Sequence, residues 1–188
     1  TTNYYPGGIA EYIRIPPINV DRGVCELPDE VSFEEGTLVE PLACVVRGLR
    51  MADMQPGQAV LVLGSGVSGL LNIALARALG AGRILATDIC EYRLNAAARL
   101  GADVTMDARG HVSSRVHEAN GGRLADLVIV CTGAFSAFAQ ALECVDRSGT
   151  VLFFAPTRPG VELPVPVNEL WRNGTRMMPT YGASSYDI

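Results

Sequence analysis

Six consecutive residues, Gly64-Ser65-Gly66-Val67-Ser68-Gly69, restrict what this chain can fold into more than any other stretch. They spell G-x-G-x-x-G, and their surroundings give the pattern its weight. Residues 59–63 before it are a continuous apolar run, which reads as a strand buried on both faces. After it, Leu70, Leu71, Ile73, Ala74 and Leu79 recur at helical spacing up to Gly80. A glycine loop between a buried strand and a helix is the phosphate loop of a dinucleotide-binding βαβ unit. Gly64 permits the tight turn, Gly66 lets a pyrophosphate approach the backbone, and Gly69 lets the helix pack close to the strand. The first N–H groups of the helix, around Ser65 to Val67, then face the phosphates with the helix dipole behind them.

A second apolar run, residues 83–87, ends at Asp88, which lies 24 residues after Gly64. A carboxylate there accepts hydrogen bonds from ribose hydroxyls and repels a 2′-phosphate, favouring NAD over NADP. Arg93, five residues on, works the other way, since a guanidinium pairs with phosphate. Two other readings of the loop stay open: a glycine turn that binds no nucleotide, and a methyltransferase-like domain with a similar loop.

The strand–helix alternation continues to the end of the chain. Helices are expected at 92–100, 112–118, 136–145 and around 169–171. Strands are expected at 103–106, 126–130, 150–154 and 176–181, with Pro179 placing the last at an edge. Such alternation calls for right-handed parallel crossovers. The fold class is therefore α/β, a doubly wound parallel six-stranded Rossmann sheet. The opening differs. Residues 10–15 alternate as a strand does, Pro16-Pro17 implies an extended turn, and residues 25–33 look irregular. A helix is then expected from about residue 37 to about residue 52.

Composition narrows the class of partner. Net charge is −5, with no basic block, which argues against nucleic acid and anionic membrane surfaces. The apolar runs are too short and too broken by glycine to span a bilayer, and no secretory signal opens the chain. The 5 cysteines are odd in number and include no CxxC pair, so reduced thiols in a cytoplasmic protein fit better than disulfides. His111 and His117 have no zinc-site spacing and read as surface residues.

Three stretches together resemble the medium-chain, zinc-type alcohol and polyol dehydrogenases, in particular their sorbitol and threonine dehydrogenase branch. They are Gly8-Ile9-Ala10-Glu11-Tyr12, then Leu38-Val39-Glu40-Pro41-Leu42-Ala43-Cys44 with Pro56-Gly57 and the glycine loop, and finally Cys131-Thr132-Gly133. The resemblance implies a division of the chain. Residues 1–38 would be the C-terminal remnant of a β-rich, GroES-like catalytic domain, 39–183 the cofactor domain, and 184–188 the start of the return to the catalytic domain. It implies a metal role for Glu40, at the catalytic zinc or its bound water; a helix-start carboxylate complementing the dipole is the plainer alternative. It places Cys44 near the nicotinamide, where packing is the plainer role, Cys131 and Thr132 on the adenosine side of the cofactor, and Ala155 against the nicotinamide half. It also implies an alcohol or polyol substrate, NAD as cofactor, zinc acting as Lewis acid in the full-length parent, and a homo-oligomer joined through the sixth strand. The family's remaining zinc ligands would precede Thr1, so the metal is not expected on this chain and the chain alone is expected to turn over little or nothing. A non-catalytic nucleotide-binding module is the alternative.

Overall fold

The computed structural model describes residues 8–184, 186 and 187, so the expectations touching residues 1–7, 185 and 188 fall outside the described residues. Three helices precede the sheet: α1 (Pro17–Gly23), α2 (Phe33–Gly36) and α3 (Val39–Met51). The alternation follows as β1 (Ala59–Leu63), α4 (Val67–Ala78), β2 (Arg83–Asp88), α5 (Glu91–Arg99), β3 (Val104–Asp107) and α6 (Val112–Ala119). It ends with β4 (Ala125–Val130), α7 (Phe135–Cys144), β5 (Val145–Phe153), α8 (Val167–Asn173) and β6 (Arg176–Pro179).

The 6 strands form one sheet in the order β3-β2-β1-β4-β5-β6, and every neighbouring pair is parallel. This is the doubly wound order of dinucleotide-binding sheets. Its direction of winding reverses between β1 and β4, which opens a crevice at the carboxyl ends of those two strands. Side-chain alternation along β1 explains why the run 59–63 had to be apolar throughout. Leu61 and Leu63 join a core with Val128, Val130 and Phe138 on one face. Val60 and Val62 join Val45, Leu49, Ile73 and Ile129 on the other. Helices α3 and α4 thus share one face of the sheet, and α6 and α7 cover the opposite one.

The structure departs from the sequence reading at its two ends and at one junction. No strand forms over residues 10–15; residues 8–15 are exposed, and no described strand lies beside them. An isolated strand leaves its N–H and C=O groups without partners, so alternation alone does not make one. The prolines that were expected to make an extended turn instead start a helix. Pro16 is the N-cap of α1 and Pro17 its first residue, where a missing N–H costs nothing. Residues 32–36 are not irregular either. The Ser32 hydroxyl accepts from the Glu35 N–H, and the Glu35 carboxylate accepts from the Ser32 N–H, a capping box that opens α2. Val145, expected to end a helix, begins β5; the chain is out of regular pairing until Thr150 meets Leu127, with Ser148 at a positive φ of 58° between. The last strand ends at Pro179 rather than Tyr181, and it lies at the sheet edge.

Candidate functional site

The glycine loop leaves the end of β1 at the β1–β4 crevice. Gly64 has φ +95°, a conformation that L side chains rarely adopt, and a Cβ there would press on Thr132 at 3.0 Å. Gly69 is in the first turn of α4, and a Cβ on it would lie 1.9 Å from the Gly64 carbonyl oxygen, so a side chain is excluded. Gly66 is different: a Cβ there would meet nothing within 4 Å. Packing does not require glycine at that position, and the space above it is open. Gly66 is also the N-cap of α4 and offers no side chain to the first N–H groups, which have no intrahelical partner. Val67, 63% exposed, stands at that helix end.

Asp88 ends β2 beside the loop and is buried. Its Oδ2 accepts from the Ser65 N–H at 2.8 Å and its Oδ1 from the Cys90 N–H at 3.0 Å. The buried Ser65 hydroxyl donates to the Thr87 carbonyl at 3.2 Å. The carboxylate therefore ties the glycine loop to the end of β2, and Asp88 lines a cavity of about 470 Å³. Gly64, Asp88, Arg93 and Thr132 line this cavity together. The Arg93 guanidinium stands 3.8 Å from Asp88, close enough for attraction and too far for a hydrogen bond.

A larger cavity of about 980 Å³ opens at the carboxyl ends of β5 and β6, and Glu40, Cys44 and Ala155 line it. Glu40 and Cys44 are one turn apart on α3, and the Cys44 thiol donates to Glu40 Oε1 at 3.2 Å. Burial, then that hydrogen bond and the carboxylate's charge, push the thiol up to about 11. Cys44 is therefore a neutral donor at ordinary pH. Residues 180–183 form the opposite wall. They are anchored by Asp187, whose carboxylate accepts from the Ser184 hydroxyl at 2.7 Å, the Ser184 N–H at 2.9 Å and Arg50 at 2.7 Å. The Ser184 hydroxyl and the Arg50 guanidinium hold the Asp187 carboxyl well below the usual carboxylate range.

Cys131 is not brought to either cavity. The Asn72 amide donates to its sulfur at 3.6 Å, and burial pushes its thiol up. Ser65, Gly66, Val67 and Gly69 line neither cavity; Ser65 and Gly69 are buried, and Val67 is exposed. The donor set does not fit a zinc ion on its own. Zinc takes four ligands, three of them from protein in catalytic sites, and among the described residues no group of three or more His, Cys, Asp or Glu side chains is placed to hold a metal. Several cavity residues escaped the sequence reading. Arg109 and Gln140 line the smaller cavity, and Phe154, Thr180 and Tyr181 the larger. They follow strand ends or sit on helices with no motif of their own; position after a parallel strand was the one available signal.

Comparisons with known proteins agree with this geometry. The family model described as zinc-binding dehydrogenase matches residues 68–188. Sorbitol dehydrogenase of Mus musculus is 33% identical over 144 residues, which is 74% of this chain and 40% of that protein. An alcohol dehydrogenase from Thermus sp. ATN1 superposes with a TM-score of 0.74 at 29% identity, over 86% of this chain and 46% of the other. A Sinorhizobium meliloti structure bound to NADP superposes with a TM-score of 0.82 at 25% identity, over 87% of this chain and 48% of the other. The chain thus spans less than half the length of each.

Proposed function

Because this chain belongs to the zinc-binding dehydrogenase family, we propose that it is the nucleotide-binding portion of an enzyme that oxidises an alcohol or polyol by hydride transfer to NAD. The single observation that carries the reading is the open space over Gly66, at the helix N-terminus beside the β1–β4 crevice, where packing alone does not ask for glycine. A pyrophosphate fits that space, with the free N–H groups at the start of α4 as donors. Asp88 takes the ribose hydroxyls from within the smaller cavity, and Thr132, two residues after β4, lies against Gly64. A dinucleotide laid across the loop then reaches from the smaller cavity to the larger, with its nicotinamide half near Ala155. Bound NAD supplies the hydride acceptor; the protein holds and orients it at the carboxyl edge of the sheet.

NAD rather than NADP follows from the Asp88 carboxylate, while Arg93 and the NADP-bound relative make the choice one for measurement. Residues 1–38 are the tail of a catalytic domain, 39–183 the cofactor domain, and 184–188 the return to the catalytic domain. Glu40 is the contribution of this chain to a metal site whose other ligands lie elsewhere. One carboxylate and a neutral thiol do not make a zinc site. The isolated chain is therefore expected to bind nucleotide without measurable turnover; alcohol oxidation by the purified chain with zinc and NAD would contradict this. Titration calorimetry tests the binding itself. Saturable NAD binding, with weaker NADP binding, is the expected result. Saturable binding of S-adenosylmethionine with none of NAD would overturn the proposal.

A further inference from the structure

The smaller cavity contains a guanidinium that is held by its edges and left open on its face. Arg109 follows β3. Its Nε–H donates to Asp107 Oδ1 at 3.0 Å and its Nη2–H to the Ile89 carbonyl oxygen at 2.9 Å. Its backbone N–H donates to the same Asp107 oxygen at 2.8 Å. The flanking peptide is fixed as well: the Ala108 N–H donates to the Asp88 carbonyl at 3.1 Å, and the Gln140 amide donates to the Ala108 carbonyl at 3.0 Å. The guanidinium itself is thus held at two points, Nε and Nη2. Yet the Arg109 side chain remains 70% exposed, at the cavity wall. Two anchored edges of a planar group fix its plane and leave a face free, and a guanidinium face stacks on aromatic rings.

The position of this plane identifies the ring. Arg109 is anchored on the carbonyl of Ile89, the residue directly after Asp88. Ile89, 65% exposed and apolar, lines the same cavity as Asp88 and Arg109, so a base attached to a ribose on Asp88 would have both Ile89 and the guanidinium face within reach. We infer that Arg109 is a stacking platform for the adenine ring of the bound dinucleotide, set in its plane by Asp107 and by the Ile89 carbonyl. The inference rests on the dinucleotide reading and adds to it a recognition element for the purine. Arg93 is the contrasting case: it has the same charge, but stands 3.8 Å from Asp88 and has no hydrogen bond among the described residues to hold its plane.

Calorimetry on the full chain with AMP, NAD and NADP, comparing wild type with Arg109→Lys and Arg109→Gln, tests this. Lysine keeps the charge and loses the plane. Both variants are expected to bind AMP and NAD roughly three- to tenfold more weakly, as the loss of one cation–π stack implies, with thermal stability unchanged. Asp107→Asn, which loosens the anchor, is expected to give a smaller loss in the same direction. Wild-type affinity in Arg109→Lys, with loss only in Arg109→Gln, would overturn the platform and make Arg109 a charge contact. A loss confined to NADP would overturn it too, assigning the residue to a 2′-phosphate. Wild-type protein that binds neither AMP nor NAD would remove the dinucleotide reading itself and the platform with it, whereas unchanged variants of a protein that binds both would remove the platform alone.

Discussion

At the scale of single residues, the three loop glycines have distinct physical reasons, and their substitutions separate cleanly. Gly69→Ala places a methyl group against the Gly64 carbonyl; it is expected to lower stability by about 1–3 kcal/mol, the usual range for overpacking, as a fall in thermal midpoint. Gly66→Ala puts a methyl group into open space. It is expected to leave the midpoint in place and to weaken NAD binding roughly tenfold, a loss of about 1.4 kcal/mol. If both variants lost stability and neither lost affinity, the space over Gly66 would not be a ligand site. Asp88 combines two tasks that the sequence presents as one. Its loss frees the buried Ser65 N–H as well as the proposed ribose contact; Asp88→Asn, which keeps an acceptor, is therefore expected to bind NAD more tightly than Asp88→Ala. The motif letters made all four residues legible. Arg109 was not, because its task depends on a carbonyl 20 residues away.

At the scale of elements, charge holds the β2–β3 side of the sheet together in a pH-dependent way. Asp103, just before β3, accepts from the Ile84 N–H at 2.7 Å and pairs with Arg77 of α4 at 2.6 Å. Burial pushes the Asp103 carboxyl up, but the Ile84 N–H and the Arg77 guanidinium outweigh it and leave it below its ordinary value. A carboxyl lowered in the folded state contributes stability that is present above its unfolded value, near pH 4, and is lost as pH falls through the folded one. Solvent screens part of this, since both side chains are more than a third exposed. The thermal midpoint is expected to fall below about pH 4, and Asp103→Asn to flatten that decline; an unchanged acid limb would assign the decline to other carboxyls. Helix and strand periodicity revealed nearly every element of the sheet, because both faces are buried and the apolar pattern is dense. Residues 10–15 misled for the opposite reason, since a strand is defined by a neighbour, and alternation says nothing about whether one is present.

At the scale of the whole molecule, the sheet edge bears on assembly. Among the described residues β6 pairs on its β5 side alone, and a free parallel edge invites pairing with a second copy. The Thr180 N–H donates to the Phe153 carbonyl at 3.2 Å, so strand alternation turns Met178 and Arg176 towards β5 as well; Pro179 has no N–H, which leaves Met177 to donate outward. Sedimentation is expected to find a dimer that dissociates when Met177 is replaced by proline; a monomer at all concentrations would remove the edge from consideration. No helix of the described residues is long and apolar enough to cross a membrane.

The order of strands and helices, the glycine loop after the first strand and the acidic residue ending the second followed from the amino-acid sequence. Each is encoded locally: periodicity reports burial, and glycine reports backbone conformation. Tertiary structure alone decided where those pieces meet. It set β1 beside β4, so that the winding reversed at the loop. It brought Glu40 and Cys44 of α3 to the same cavity as residues 180–183. It drew Arg109 against the carbonyl of Ile89. Such contacts join residues far apart in the chain, and packing of the two core faces fixes them, with no local signal to announce them.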